Sequence, residues 1–222
     1  MNPSLWLFDI DGTLVDTGGA GMRALQEAAA ECFGGSGPPL DLAGSTDLGV
    51  VAGILDHFGR SHAAGETERY FDSYHRRLEW NLTHGGFPGR VLPGVAALLE
   101  SLAELPGVTV GLLTGNTAAG AAAKMNHFGL DRHFAFGAYG CDHADRNLLG
   151  PVALERASRH AGREFSSADV LVIGDTPKDI ACARAIGARC LAVATGNFSA
   201  DQLREAGADQ VVDSLVDFGV SV

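Results

Sequence analysis

The amino-acid sequence predicts an α/β protein, a parallel sheet with helices on both faces, interrupted by an all-helical insert. Three observations lead there. Short, almost wholly apolar runs recur along the chain, within Ser4 to Val15 and at Val108 to Thr114 and Asp169 to Gly174. Such runs read as strands buried on both faces. Segments with helical apolar spacing separate them, as right-handed βαβ units require. Finally, nothing between Asp16 and Phe87 reads as a strand.

The first strand starts at Ser4-Leu5-Trp6-Leu7-Phe8 and turns at Gly12. Thr17-Gly18-Gly19-Ala20-Gly21 is a linker, and the Ala-, Leu- and Glu-rich stretch from Met22 to Phe33 a helix. Gly34-Gly35-Ser36-Gly37-Pro38-Pro39 breaks it. Two more helices follow, Thr46 to Phe58 (Val50, Val51, Ile54, Leu55, Phe58) and Glu66 to Leu82 (Tyr70, Tyr74, Leu78). After Pro93-Gly94 the alternation resumes, with a helix over Val95 to Glu104, the strand from Val108 and a helix over Ala118 to Phe128. Phe134 to Tyr139 is the next strand, and Gly150 to Ala161 a helix with Pro151 in its first turn. A strand then ends at Gly174, followed by a helix over Asp179 to Ile186 and a strand over Arg189 to Ala194. A short helix, Ala200 to Ala206, and an edge strand, Gln210 to Val212, close the pattern.

At 222 residues, 46% of them hydrophobic and with a mean hydropathy of +0.10, the chain suits one large domain, or a core carrying a smaller insert. No apolar run approaches the roughly 20 residues of a membrane span. No basic region precedes the N-terminal apolar run, so no signal peptide is expected. A formal charge of −11 argues against broad nucleic-acid binding. It also means that an anionic substrate needs local positive charge. Cys32, Cys141, Cys182 and Cys190 have neither zinc nor C-x-x-C spacing and read as reduced thiols of a cytoplasmic protein.

The chemistry concentrates where strands end. Asp9 and Asp11 follow the first strand, where open α/β sheets place ligands, and residues two apart on an extended chain share a face. Two carboxylates that close are costly unless a metal or another cation sits between them. Gly12 permits a sharp turn and close backbone approach, and Thr13 adds a hydroxyl. The second strand ends in Thr114-Gly115-Asn116, a hydroxyl and backbone N–H groups leading into a helix N-terminus, which suits a phosphate oxygen. Asn116 or Thr117 equally serves as a helix cap. The third strand ends in Gly174-Asp175-Thr176-Pro177-Lys178-Asp179.

Asp9-Ile10-Asp11-Gly12-Thr13 resembles the opening signature of the haloacid dehalogenase superfamily, most of whose members are phosphohydrolases. Thr114 falls where its second motif places a phosphate-binding Ser or Thr, and Gly174-Asp175 with Asp179 is similar to its fourth. The resemblance implies a Rossmann-like core over 1–15 and 90–222 and a helical cap domain over 16–89, with hinges near Asp16 to Gly19 and Gly86 to Pro93. It implies Mg²⁺ held by Asp9, Asp175 and the Asp11 main-chain carbonyl, with Asp179 part of the metal site through water or by supporting the ligands; Asp179 also suits a helix N-terminus. Phosphate would be bound by Gly12, Thr114, Gly115, Asn116 and a basic residue. For that residue the chain departs from the commonest pattern: it has only two lysines, Lys124 and Lys178, and no Gly-Lys-Pro before the fourth motif. The role is assigned to Arg146, with Lys178 the rival. Asp142 and Asp145 are expected to be solvated or salt-bridged. Gly44-Ser45-Thr46-Asp47 is expected as a cap loop facing the site, and Arg23, His75, Arg76 and Arg77 as candidates for an anionic leaving group.

The expected activity is Mg²⁺-dependent hydrolysis of a small phosphomonoester, phosphoglycolate-like or a sugar phosphate. Asp9 acts as nucleophile through an aspartyl-phosphate, and Asp11 as general acid and base. Asp11 argues against a dehalogenase. The lack of lysine from Asp16 to Gly89 argues against the phosphonatase branch, which uses a cap lysine. A phosphomutase of the same superfamily, or a non-catalytic phospho-acceptor module, are the alternatives. The partner is a small phosphorylated metabolite, with neither nucleic acid nor membrane, and the chain is expected to be a monomer or homodimer.

Overall fold

The computed structural model describes residues 3–219. Six parallel strands form one sheet in the order β5-β4-β1-β6-β7-β8. They are β1 (Leu5–Phe8), β4 (Thr109–Leu113), β5 (Gly137–Ala138), β6 (Val170–Gly174), β7 (Arg189–Val193) and β8 (Gln210–Val212). The strand alternation dictates a two-faced core. Trp6, Phe8, Leu112, Leu171, Ile173, Leu191 and Val193 pack on one face, with Leu98, Leu99 and Leu102 of α4 (Val95–Glu104) and Ala121 and Met125 of α5 (Ala118–His127). Leu5, Leu7, Leu113, Val170, Val172, Cys190 and Ala192 pack on the other. They meet Ala153 and Ala157 of α6 (Leu149–Ala161), Ile180 of α7 (Pro177–Ala185) and Leu203 of α8 (Ala200–Glu205). This is the expected parallel α/β sandwich, covered on both faces.

Three helices precede α4: α1 (Ala20–Phe33), α2 (Asp47–His57) and α3 (Ala64–His84). They surround a core of their own, with Leu25, Ile54, Leu55, Tyr70, Tyr74 and Leu78. The chain leaves and re-enters the sheet layer through an antiparallel ribbon, β2 (Val15–Asp16) on β3 (Arg90–Val91), which the sequence reading did not contain. The strand expected over Phe134 to Tyr139 shrinks to the two residues of β5. As an edge strand it pairs only with β4, while Phe134 turns in against Phe8, their ring centroids 6.2 Å apart.

β1 lies between β4 and β6 with all three in parallel register, Phe8 opposite both Leu112 and Ile173. The residues just past these strands, Asp9, Thr114 and Asp175, are therefore brought side by side at the carboxyl edge of the sheet. Ligands of open α/β sheets bind there.

Candidate active site

Asp9, Asp175 and Asp179 are all buried, and each offers a carboxylate oxygen within 4.8 Å of the others. Asp179 belongs to α7, where it closes a capping box with Thr176: the Thr176 N–H and hydroxyl both donate to its Oδ2, at 3.0 and 2.7 Å. Arg146, itself buried, donates from Nη2 to Asp179 and to the Leu113 carbonyl at 3.3 Å, and the same nitrogen is ion-paired with Asp9 Oδ1 at 3.2 Å. Thr13 donates its hydroxyl to Asp175 Oδ1 at 3.2 Å. Three carboxylates against one guanidinium leave an excess of two negative charges out of water. The carboxyls respond: burial pushes Asp175 up to about 8, helped by the charges of Asp9 and Asp179. Burial likewise raises Asp9 to about 6, against the pull of Arg146.

Of the two cations left open by the sequence, Arg146 is the one against Asp9. Lys178 instead donates to Ser45 Oγ at 2.8 Å, on the loop that opens α2. Asp142 forms a bidentate pair with Arg156 at 2.6 and 2.8 Å, and Asp145 caps the following turn through the Asn147 N–H.

Thr114 is fully buried, and its Oγ1 accepts from the backbone N–H and side-chain amide of Asn116, at 3.3 and 2.9 Å. The same amide donates to Asp11 Oδ2 at 2.8 Å. Asn116 is thus turned towards Asp11, and Thr117 serves as the N-cap of α5, accepting from the Gly120 N–H at 3.1 Å. Gly12 has φ +79°, and its N–H donates to the Val15 carbonyl at 2.9 Å. A side chain there would bring Cβ to 2.4 Å from Asp175 Oδ2, so the turn must be glycine. Gly115 is fixed by another neighbour: a Cβ would stand 1.8 Å from the Ser45 carbonyl.

That contact belongs to the loop before α2, which lies on the sheet's carboxyl edge. Asp47 donates its N–H to the Gly115 carbonyl at 2.7 Å, and its carboxylate accepts from the Thr117 N–H at 2.7 Å. The Thr46 hydroxyl reaches the Ala144 carbonyl at 2.7 Å. Burial pushes Asp47 up to about 6, partly opposed by the Thr117 N–H. Between this loop and the strand ends lies a cavity of about 340 Å³. Asp9, Asp11, Asn116, Arg146 and Asp175 line its floor, and Met22, Leu25, Leu42, Val50 and Tyr74 its roof. A larger cleft of about 510 Å³ touches Arg146 and Lys178 but none of Asp9, Asp11 or Asp175, so the chemistry belongs to the smaller one. Arg23, Arg76 and Arg77 pair with Glu27 and Glu31 on the helices themselves, and His75 Nε2 meets Thr117 Oγ1 at 2.8 Å.

Two contributors escaped the sequence reading. Asp47 was expected near the site but not as a buried latch. Lys124, whose ammonium lies against Asp11, was assigned no role. One signal marks it: with Gly120, Ala121 and Met125 it falls on the buried stripe of an Ala-rich helix, where a charge needs a partner.

Residues 4–187 match the model of the haloacid dehalogenase-like hydrolase family. Among curated relatives, a 5′-nucleotidase of Pseudomonas aeruginosa is 31% identical over 89% of this chain and 86% of its own length. Phosphoglycolate phosphatase 1 of the same organism is 29% identical over 97% of this chain and 78% of its own. Among solved structures, CbbY of Rhodobacter sphaeroides in complex with phosphate superposes with a TM-score of 0.73 at 19% identity, covering 98% of this chain and 96% of that one.

Proposed function

Because the chain belongs to the haloacid dehalogenase-like hydrolase family, we propose that it is a Mg²⁺-dependent phosphatase of small phosphomonoesters, working through a phosphorylated Asp9. The observation that carries this reading is the meeting of Asp9, Asp175, Asp179 and Arg146 at three adjacent strand ends. The donor set fits the metal: hard carboxylate oxygens, clustered and buried, with an excess of two negative charges that a divalent cation balances. Asp9, Asp175 and the Asp11 carbonyl would hold it, with Asp179 directly or through water. When bound it supplies charge neutralisation at the phosphoryl oxygens, the main source of catalysis in phosphoryl transfer.

The chain's own groups do the rest. An Asp9 carboxylate oxygen attacks phosphorus while the bond from phosphorus to the leaving oxygen breaks. The Asp11 carboxyl gives that oxygen its proton, then takes one from the water that attacks the phosphorylated Asp9 and releases phosphate. Arg146 orients Asp9 and offsets the charge of the transferring group. Thr114 accepts from Asn116, which leaves its own hydroxyl hydrogen free to donate to a phosphoryl oxygen.

We read residues 16–89 as a cap and 1–15 with 90–222 as the catalytic core. The loop before α2 closes the cavity, so the roof residues Met22, Leu25, Leu42, Val50 and Tyr74 face the leaving group. Relatives named for phosphoglycolate and for 5′-nucleotides support a substrate among small metabolite esters. The four free cysteines accord with a cytoplasmic protein. Phosphate release from a panel of phosphomonoesters, with Mg²⁺ and with EDTA, tests the proposal. Release that needs Mg²⁺ is the expected result, and no release from any ester would overturn it.

A further inference from the structure

We propose that Lys124 is a positioning residue for Asp11, acting with Asn116 as a clamp that sets the carboxyl in place for proton transfer to and from the leaving group. The inference rests on the phosphatase reading for its kinetic consequence and on geometry for the clamp itself. Lys124 Nζ donates to Asp11 Oδ1 at 2.7 Å, to Asp11 Oδ2 at 2.6 Å and to Asn116 Oδ1 at 2.6 Å. Those contacts use all three hydrogens of an ammonium. The side chain is only 4% exposed, whereas that of Asp11 is 46% exposed at the cavity. Asn116 completes the ring by donating to Asp11 Oδ2 at 2.8 Å. Asp11 is therefore held by Lys124 of α5 and by Asn116 of the turn before that helix, and all three line the cavity, Asp11 the most exposed to it.

The arrangement has a physical purpose. A half-exposed carboxylate on a short side chain has several rotamers open to it unless its neighbours select one. Proton transfer needs the acid within hydrogen-bond reach of the leaving oxygen, so holding one rotamer removes that search from the barrier. A buried ammonium saturated by its neighbours is also poorly placed to serve as a ligand for a charged leaving group. Lys124 thus works through Asp11 rather than on the substrate.

The test compares wild type, Lys124→Met, Asp11→Asn and the double variant in Mg²⁺. kcat/KM reports the steps through departure of the first leaving group. A nitrophenolate leaves without a proton, and an alkoxide does not. General acid catalysis is worth roughly 10²–10⁴-fold, so K124M is expected to lose at least about tenfold more kcat/KM on an alkyl phosphate than on p-nitrophenyl phosphate. In the Asp11→Asn background the added loss is expected to stay under about twofold, because the two residues act as a unit. Equal losses on both esters, or losses that multiply in the double variant, would overturn the inference. So would a rise in KM confined to esters with an anionic leaving group, which would make Lys124 a substrate ligand. Crystal structures of wild type and K124M give a readout that needs no turnover. Asp11 on Lys124 in the wild type and displaced in the variant supports the clamp; Asp11 unmoved in the variant, or away from Lys124 in the wild type, refutes it. If K124M does not fold, Lys124→Gln and the wild-type crystal structure carry the same decision. An inactive wild type with the clamp in place would count against the phosphatase reading alone.

Discussion

Arg146→Met tests how the site manages its charge. The guanidinium touches two of the three buried carboxylates, Asp9 and Asp179, and Met replaces its bulk without its charge. Removing one partner of a buried ion pair costs about 3–5 kcal/mol, because the other charge is left stranded. The cluster geometry gives a similar figure. Two ionised carboxylates with oxygens within 4.8 Å of each other repel by at least about 3.5 kcal/mol at an effective dielectric constant of about 20. For a chain of 222 residues, with about 2–4 °C per kcal/mol, R146M in EDTA at pH 8 should unfold about 6–20 °C below wild type. Two conditions should shrink the deficit. Lowering the pH to 5 protonates Asp9 and Asp175, which titrate at about 6 and about 8, and removes the repulsion. Adding Mg²⁺ at pH 8 supplies the missing positive charge. The assay is thermal unfolding followed by circular dichroism across these conditions. An R146M protein within 2 °C of wild type in EDTA at pH 8, or one equally destabilised at pH 5 and pH 8, would refute the reasoning.

Four other outcomes are expected. Asp9→Asn should abolish turnover of every ester, because no carboxylate remains to take the phosphoryl group; more than about 1% residual kcat would remove Asp9 as the nucleophile. Metal-free wild type should lose stability as pH rises from about 4 to about 8. Asp9, Asp47 and Asp175 bind protons more tightly folded than an unfolded Asp near 3.9 does, so the native state holds extra protons that Asp9 and Asp47 release near pH 6 and Asp175 near pH 8. An unfolding temperature in EDTA that climbs from pH 5 to pH 8 would contradict this. Asp47→Ala should leave the Thr117 N–H without its acceptor, at a cost of about 1–3 kcal/mol. Hydrogen exchange at Thr117 should accelerate, and an unchanged protection factor there would show that the loop before α2 is not latched by this carboxylate. Gly12→Ala should disable the site, since its Cβ would collide with Asp175 Oδ2 and φ +79° disfavours any side chain. Wild-type Mg²⁺ affinity in G12A, by titration calorimetry, would be the contrary result.

Much of the site was legible because its groups lie just past strands, where local pattern and position coincide. Apolar runs marked β1, β4 and β6, so local pattern alone puts Asp9, Thr114 and Asp175 at strand ends. Parallel register then forces those three ends together. Arg146 could be proposed only by its place between motifs, with Lys178 as its rival. What separates the two is spatial: Lys178 is exposed at the start of α7 and turns to Ser45, while Arg146 is buried beside Asp9.

The amino-acid sequence by itself determined the alternation of strands and helices, the helical insert and the acids at the strand ends. Each follows from hydrophobic period and turn chemistry within a few neighbouring residues. Only the tertiary structure decided that Lys124 and Asn116 hold Asp11, that Asp47 latches its loop to Gly115 and Thr117, and that Asp9 and Asp179 share Arg146. Those contacts join groups tens of residues or more apart in the chain, as with Lys124 on Asp11 across 113 positions. No local pattern encodes them: they arise where packing brings a buried charge to the partner it must have.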